Sequence, residues 1–274
     1  MKFSVLMSVY SKDEADFFKK ALESVTLEQT VKPAQVVIVE DGPVPKCFGE
    51  IIKEIELKCD GIEFTVVKKD QNAGLAAALN TGLLFCKYDW IARMDSDDIA
   101  DNRRFEKQVA FICDHPNVSV LGSSISEFEN EPGDISSRRM VGLTHDEIVK
   151  MAKVRTPMNH VTVFYSKACV DNVGGYCESF GKLADYKLWV DLLISGVKFA
   201  NIDEDLVYVR VGNGFIERRS NKREIHDWDM LQSYLKKNGF IGGFAAFKNR
   251  VYIRIFIYTP IWLKKFLYRT VLRK

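Results

Sequence analysis

The chain reads as an α/β protein with a mostly parallel central sheet flanked by helices, and two observations say so. Over the first hundred residues, short apolar runs alternate with amphipathic stretches, the pattern of successive βαβ units. The apolar runs also end in polar clusters: Glu40-Asp41-Gly42, Gln71-Asn72-Ala73-Gly74 and Asp95-Ser96-Asp97-Asp98. Ligands of such sheets bind beyond the carboxyl ends of the strands, so all three clusters belong to one rim.

Phe3–Val9 is predicted to be the first buried strand. Ser11 then opens a helix, with Glu14 three residues on as a capping box and Phe17, Ala21, Leu22 and Val25 as its apolar face. Val36–Val39 and Phe64–Val67 are the next two strands, Gly74–Cys86 a helix rich in Ala and Leu, and Trp90–Met94 a strand running into the aspartates. Asn102–Asp114 is helical, and Val118–Phe128 and Val161–Tyr165 are strands. Glu127–Arg139, with Pro132-Gly133, is a loop, and Thr144 to Glu147 opens a helix with a capping box. Leu183–Ile194 is helical, Leu206–Val211 a strand, Gly212–Ser220 a glycine-hinged basic loop, and Lys222–Lys237 an amphipathic helix.

A chain of 274 residues, 47% apolar and 28% charged, has enough core for one large domain with an appendage. A net charge of +2 gives no argument for nucleic acid. The charge is unevenly placed, however. Residues 244–274 hold eight Lys or Arg and no acid, while the other 243 residues carry 31 basic and 37 acidic side chains. The six cysteines form no CxxC pair and no zinc spacing, as expected of reduced thiols in a cytosolic protein. The opening MKFSVLMSVYSKDE reads as a strand rather than a signal peptide, and no uncharged run reaches the ~18 residues of a membrane span.

The most informative stretch is WIARMDSDDI, Trp90 to Ile99, an apolar run ending in Asp95, Asp97 and Asp98. Like charges this close raise one another's pKa, so the arrangement points to a cation. A calcium loop fits poorly. With Asp95 at position 1, position 5 is Ile99 and position 6 is Ala100, where an acid or amide and a glycine are needed. A solvated turn with helix-capping acids is the other reading.

Together SVLMSVY, VVIVEDG, QNAGLAAALNTG, ARMDSDD, EKQV, NHVTV and ADYKLW resemble, in order, an inverting family-2 glycosyltransferase of the GT-A fold. The resemblance covers roughly residues 1–210 and is strongest to bacterial enzymes that build O-antigen or exopolysaccharide repeats on a lipid carrier. It implies a GT-A domain over residues 1–221, with a nucleotide-binding half to residue 100 and an acceptor-binding half beyond, followed by a helical region over 222–274.

The resemblance also implies roles. Asp95 and Asp97 would hold Mn²⁺ or Mg²⁺ on the diphosphate of a UDP-sugar, with Arg93 and Ser96 beside them and Asp98 positioning the sugar. Asp41 would read the uracil imide, although Glu40 stands where the family often has Asp and Pro43 where Ser is common. Ser8 and Tyr10 would line the uracil pocket, and Asn72 and Gly74 would approach the ribose and diphosphate. Gly74 also fits a simple turn before a helix. Asp185 would be the general base; Ala184 replaces the family's usual glutamate before it. Alone, Asp185 would read as a helix-start acid favoured by the dipole. His160 would lie near the acceptor site, or be a satisfied structural histidine. Arg210, Arg218 and Arg219 would clamp the diphosphate. Gly212-Asn213 stands where a metal-binding His is frequent, which leaves a third ligand unassigned. Trp189 reads as helix core.

The implied reaction transfers a hexose or N-acetylhexosamine to a hydroxyl of a polyprenyl-diphosphate-linked saccharide at the inner face of the cell membrane; a homodimer is compatible with it. Residues 244–274 form a basic, amphipathic tail suited to an anionic lipid surface, the alternative being a terminal helix packed on the body. Two other classes compete. A sugar nucleotidyltransferase would open with a glycine-rich loop after the first strand, where this chain has Ser8-Val9-Tyr10-Ser11; an inactive membrane-associated interaction protein would not need Asp41, Asp95, Asp97 and Asp185 together.

Overall fold

The computed structural model describes residues 1–211 and 223–260. In chain order the strands are β1 (Ser4–Val9), β2 (Gln35–Glu40), β3 (Glu63–Lys68), β4 (Trp90–Arg93), β5 (Ile99–Ala100), β6 (Val120–Phe128), β7 (Arg138–Arg139), β8 (Phe164–Ser166) and β9 (Phe199–Arg210). The helices are α1 (Ala15–Val25), α2 (Lys46–Glu56), α3 (Leu75–Leu83), α4 (Arg104–Asp114), α5 (His145–Ala152), α6 (Lys167–Asn172), α7 (Ala184–Ile194), α8 (Arg223–Lys237) and α9 (Gly243–Tyr258).

One sheet runs in the order β3-β2-β1-β4-β8-β6-β9-β5, with β7 beside β6. Strands β1 to β4 are mutually parallel, as the βαβ pattern predicts. Beyond β4 the sheet is mixed: β8 is antiparallel to β4 and β6, β9 is parallel to β6, and β5 is antiparallel to β9. The chain steps from β1 to β3 in one direction and returns to place β4 on the other side of β1. That reversal opens a crevice beyond the carboxyl ends of β1 and β4.

Side-chain alternation splits the core between the two faces of the sheet. Val36 and Ile38 of β2 pack with Phe18, Phe48 and Ile52 under α1 and α2. Val37 and Val39 pack with Ala78, Leu79 and Leu83 of α3. A third cluster joins Tyr186 and Val190 of α7 to Leu231 and Leu235 of α8, and to Ala246 of α9.

Several elements differ from expectation. Helix α1 starts at Ala15, not at a Ser11 capping box, because Asp13 turns back to accept the Tyr10 backbone N–H at 3.1 Å. The Thr144–Glu147 capping box is present. The expected Val161–Tyr165 strand begins as a 3₁₀ turn over His160–Thr162. Buried Thr162 donates its hydroxyl to the Asn159 carbonyl at 2.8 Å, which curls the chain before β8. Strand β9 starts seven residues earlier than the apolar run, at Phe199. Its acids hid this: Asp203 and Asp205 pair with Arg138, and Glu204 pairs with Lys107. The boundary expected at residue 221, and residues 261–274 of the tail, lie outside the described residues.

Candidate active site

Each of the first four strands delivers polar groups to the crevice. Half-buried Ser8 lies near the end of β1, with exposed Tyr10 just past it. Asp41 follows β2 and is 4% exposed. Its Oδ1 accepts Lys69 Nζ at 2.8 Å and the Ala73 N–H at 3.0 Å, and its Oδ2 accepts the Gly74 N–H at 2.8 Å. A carboxylate has about four acceptor positions, so one remains for a ligand N–H. Gly74 caps α3 with φ +91°, a conformation that glycine takes without strain. Asn72 is exposed and donates Nδ2 to the Asp41 carbonyl at 3.2 Å.

The end of β4 carries the carboxylates. Arg93 is 2% exposed, and its Nη2 is paired with Asp95 Oδ1, while its Nε and Nη1 have no hydrogen-bond partner among the described residues. Asp97 faces solvent at the rim but has protein around most of its carboxyl. That enclosure, then the charges of Asp95 and Asp13, push it up to about 6. Asp98 is only 3% exposed, and its Oδ1 accepts the Arg210 N–H at 2.8 Å. Burial, then Asp95 and Asp97, hold its carboxyl well above the usual range. Asp98 thus ties the end of β4 to the end of β9.

Asp13 completes the rim, and sequence reasoning missed it. Its Oδ2 accepts the Ser96 hydroxyl at 2.9 Å, and burial raises its pKa, with Asp95 adding to the effect. Its place just past the first strand was the available signal, but the apparent capping box drew attention to Ser11 and Glu14. Arg104 was missed too. It is fully buried behind Arg93 and donates to the Arg93 carbonyl at 2.7 Å.

Among the described residues, no group of three or more His, Cys, Asp or Glu side chains is gathered to hold an ion by itself. A hard cation that takes one or two carboxylates, and its other oxygens from a diphosphate and water, fits this rim. The neighbouring carboxylates of Asp95 and Asp97 would supply the charge such a cation needs.

Arg210 is committed to the body more than expected of a free clamp. Its guanidinium lies over the Phe17 and Phe128 rings, at 3.8 and 4.4 Å from their centroids. Its Nε donates to the Asp97 carbonyl at 3.1 Å, and its Nη1 reaches the Glu129 and Asn130 carbonyls. Arg218, Arg219 and Gly212-Asn213 lie outside the described residues.

On the other side of the crevice, Asp185 is half-buried in the first turn of α7. His160 is recessed but keeps some exposure, and its Nε2 lies 2.9 Å from the Tyr176 hydroxyl. Burial, then the Arg93 charge, hold the imidazole well below its usual pKa, so it is neutral. Trp189 is fully buried core, packed edge-on to His160. Burial raises the Tyr176 phenol; the Tyr165 hydroxyl and Arg93 oppose this, and the charges of Asp185 and Asp95 add to it.

A profile of glycosyl transferase family 2 matches residues 4–170. An uncharacterized glycosyltransferase of Haemophilus influenzae is 42% identical over 100% of both chains. The amylovoran biosynthesis glycosyltransferase AmsE of Erwinia amylovora is 33% identical over 97% of each chain. The UDP-Gal:alpha-D-GlcNAc-diphosphoundecaprenol beta-1,3-galactosyltransferase of Escherichia coli is 34% identical over 100% of this chain and 97% of its own. Among solved structures, mannosyltransferase PcManGT from Pyrobaculum calidifontis, in complex with GDP-Man and Mn²⁺, aligns with a TM-score of 0.62. That alignment covers 98% of this chain and 79% of the other at 15% identity, a likeness of fold.

Proposed function

This chain belongs to glycosyl transferase family 2, and from that premise we propose that it transfers a hexose or N-acetylhexosamine, with inversion, from a UDP-sugar to a hydroxyl of a lipid-linked saccharide in surface polysaccharide synthesis. The observation that carries the reading is the carboxylate rim at the reversal of strand order, flanked by Asp41 with one acceptor position left. The remaining Asp41 lone pair accepts the uracil imide N–H, which cytosine lacks. Asp95 and Asp97 would hold a divalent cation, which when bound supplies positive charge to the leaving diphosphate. Asp185 takes the proton of the attacking hydroxyl as the new bond forms. One displacement inverts the anomeric centre, so an α-linked donor gives a β-glycoside. The galactosyltransferase relative supports both the uridine donor and the lipid-diphosphate acceptor.

The test is a screen of nucleotide sugars with Mn²⁺ or Mg²⁺, reading nucleotide release. At least one UDP-sugar should be hydrolysed slowly without acceptor. Activity only with guanosine donors, or only in reverse from a sugar phosphate and a nucleoside triphosphate, would overturn the proposal.

The same reading sets the enzyme on the cytoplasmic face of the membrane that carries its acceptor. Helix α9 supports this with its outward face: Phe244 is 81% exposed, Tyr258 67%, and Phe247, Tyr252 and Ile255 are also exposed. Its inner face packs on α8: Ala246 shares a cluster with Leu231 and Leu235, and Arg250 and Arg254 pair with Asp229. Each basic side chain of residues 244–274 that faces an anionic surface would contribute about 1 kcal/mol. Among the described residues no helix is long and apolar enough to cross a membrane. Replacing Phe247 and Ile255 by Ser should reduce sedimentation with anionic liposomes several-fold and leave the melting temperature unchanged. Equal liposome binding by both proteins would remove α9 from the membrane reading.

A further inference from the structure

Tyr176 belongs to no motif read above, yet it joins the two sides of the crevice. Its main chain is gripped by one side chain. Asn80 Nδ2 donates to the Tyr176 carbonyl, and Asn80 Oδ1 accepts the Tyr176 N–H, both at 2.8 Å. Asn80 stands on α3, the helix whose first N–H group, that of Gly74, ends on Asp41. The preceding residue has to be glycine for this grip to close. Gly175 has φ +74°, and a Cβ there would lie 2.7 Å from Asn80 Oδ1.

The Tyr176 side chain points the other way, into the acceptor side. It is 3% exposed, and its ring leans on the His160 ring at 5.5 Å between centroids, with the hydroxyl on His160 Nε2. Burial raises the phenol's pKa and keeps it protonated, the Tyr165 hydroxyl and Arg93 oppose this, and Asp185 and Asp95 add to it. The imidazole is neutral as well, so this buried pair serves for orientation rather than as a store of charge. A hydrogen bond to one imidazole nitrogen fixes which nitrogen carries the proton and how the ring is turned.

We infer that Tyr176 is a positioning residue for transfer: through Asn80 it holds the donor-side helix α3 in register with the turn leading into α7, and through its hydroxyl it sets the His160 ring on the acceptor side. The inference rests on the reading of Asp185 as base and of His160 as an acceptor-side group. It predicts a defect in the use of acceptor rather than in the binding of nucleotide.

The experiment compares sugar transfer with acceptor-free donor hydrolysis in the parent, Tyr176→Phe and Asn80→Ala, each with Mn²⁺ and the UDP-sugar found by the screen. Tyr176→Phe keeps the ring and deletes only the hydroxyl. It should bind UDP within about twofold of the parent, raise the KM for acceptor, and lower the transfer-to-hydrolysis ratio on the order of 10- to 100-fold. In ¹⁵N spectra the His160 imidazole should change from one dominant tautomer to a mixture. Asn80→Ala leaves the hydroxyl in place and should lower the same ratio, so the inference stays testable if the phenylalanine variant does not fold. An unchanged ratio in a folded variant, or equal losses of transfer and hydrolysis, overturns it. The Asp185 reading fails separately, if Asp185→Asn transfers at the parental rate; the ratio in the other two variants still decides the role of Tyr176.

Discussion

Asp185→Asn is expected to turn over at least about 10²-fold more slowly than the parent, with unchanged affinity for UDP and Mn²⁺. The substitution keeps the volume and the first-turn position in α7, so packing around Tyr186 and Leu188 is preserved. It removes the capacity to take a proton. The α7 dipole favours a negative charge at this first-turn position. Single-turnover assays separate the step: binding of UDP, followed by calorimetry, stays as it was while product formation slows. A fall confined to UDP affinity would move the base elsewhere, and an α product from an α donor would remove the single-displacement mechanism.

Asp97→Ala is expected to abolish metal-dependent transfer while the fold persists. Asp97 lies at the rim beyond the end of β4 and contributes nothing to the apolar core. Its carboxylate is crowded by Asp95 and Asp13, and the variant relieves that repulsion. The metal-free variant should therefore melt at or above the parental temperature. The parent, given UDP and Mn²⁺ at about 100 times Kd, should be stabilised by about 2.7 kcal/mol, or roughly 5 °C in a chain of this size. The variant should show little of that shift. Parental transfer rates in Mn²⁺ would mean that Asp95 or another group carries the cation.

The parts of the site that were legible in the sequence share one property: a local pattern with a chemical meaning. Asp95 and Asp97 stand out because an apolar strand runs into them, and Asp41 because it ends a strand and precedes a turn glycine. The helix at Thr144 was legible because its cap is local. What was not legible depends on partners distant in sequence. Asp13 becomes part of the rim only through Ser96, more than eighty residues on. Asp98 looked like its neighbours, but a backbone N–H from the end of β9 draws it inward. Tyr176 resembles an ordinary core aromatic until Asn80 is placed against it. Helix α2 was overlooked although Phe48, Ile52 and Ile55 repeat with helical spacing. The first half of β9 was hidden because acids that pair across the surface break its apolar run.

The third core has a mechanical consequence. Tyr186 and Val190 follow Asp185 on α7 and interlock with Leu231 and Leu235, which in turn share their cluster with Ala246 of α9. The helix that starts with the candidate base and the helix that shows its aromatic side to the outside thus share one packed cluster. A surface under α9 would therefore be tied in position to Asp185 through that cluster. On the proposed reading, an acceptor anchored in that surface would reach Asp185 only with a limited number of sugars between lipid and hydroxyl, so the packing of three helices would set acceptor length.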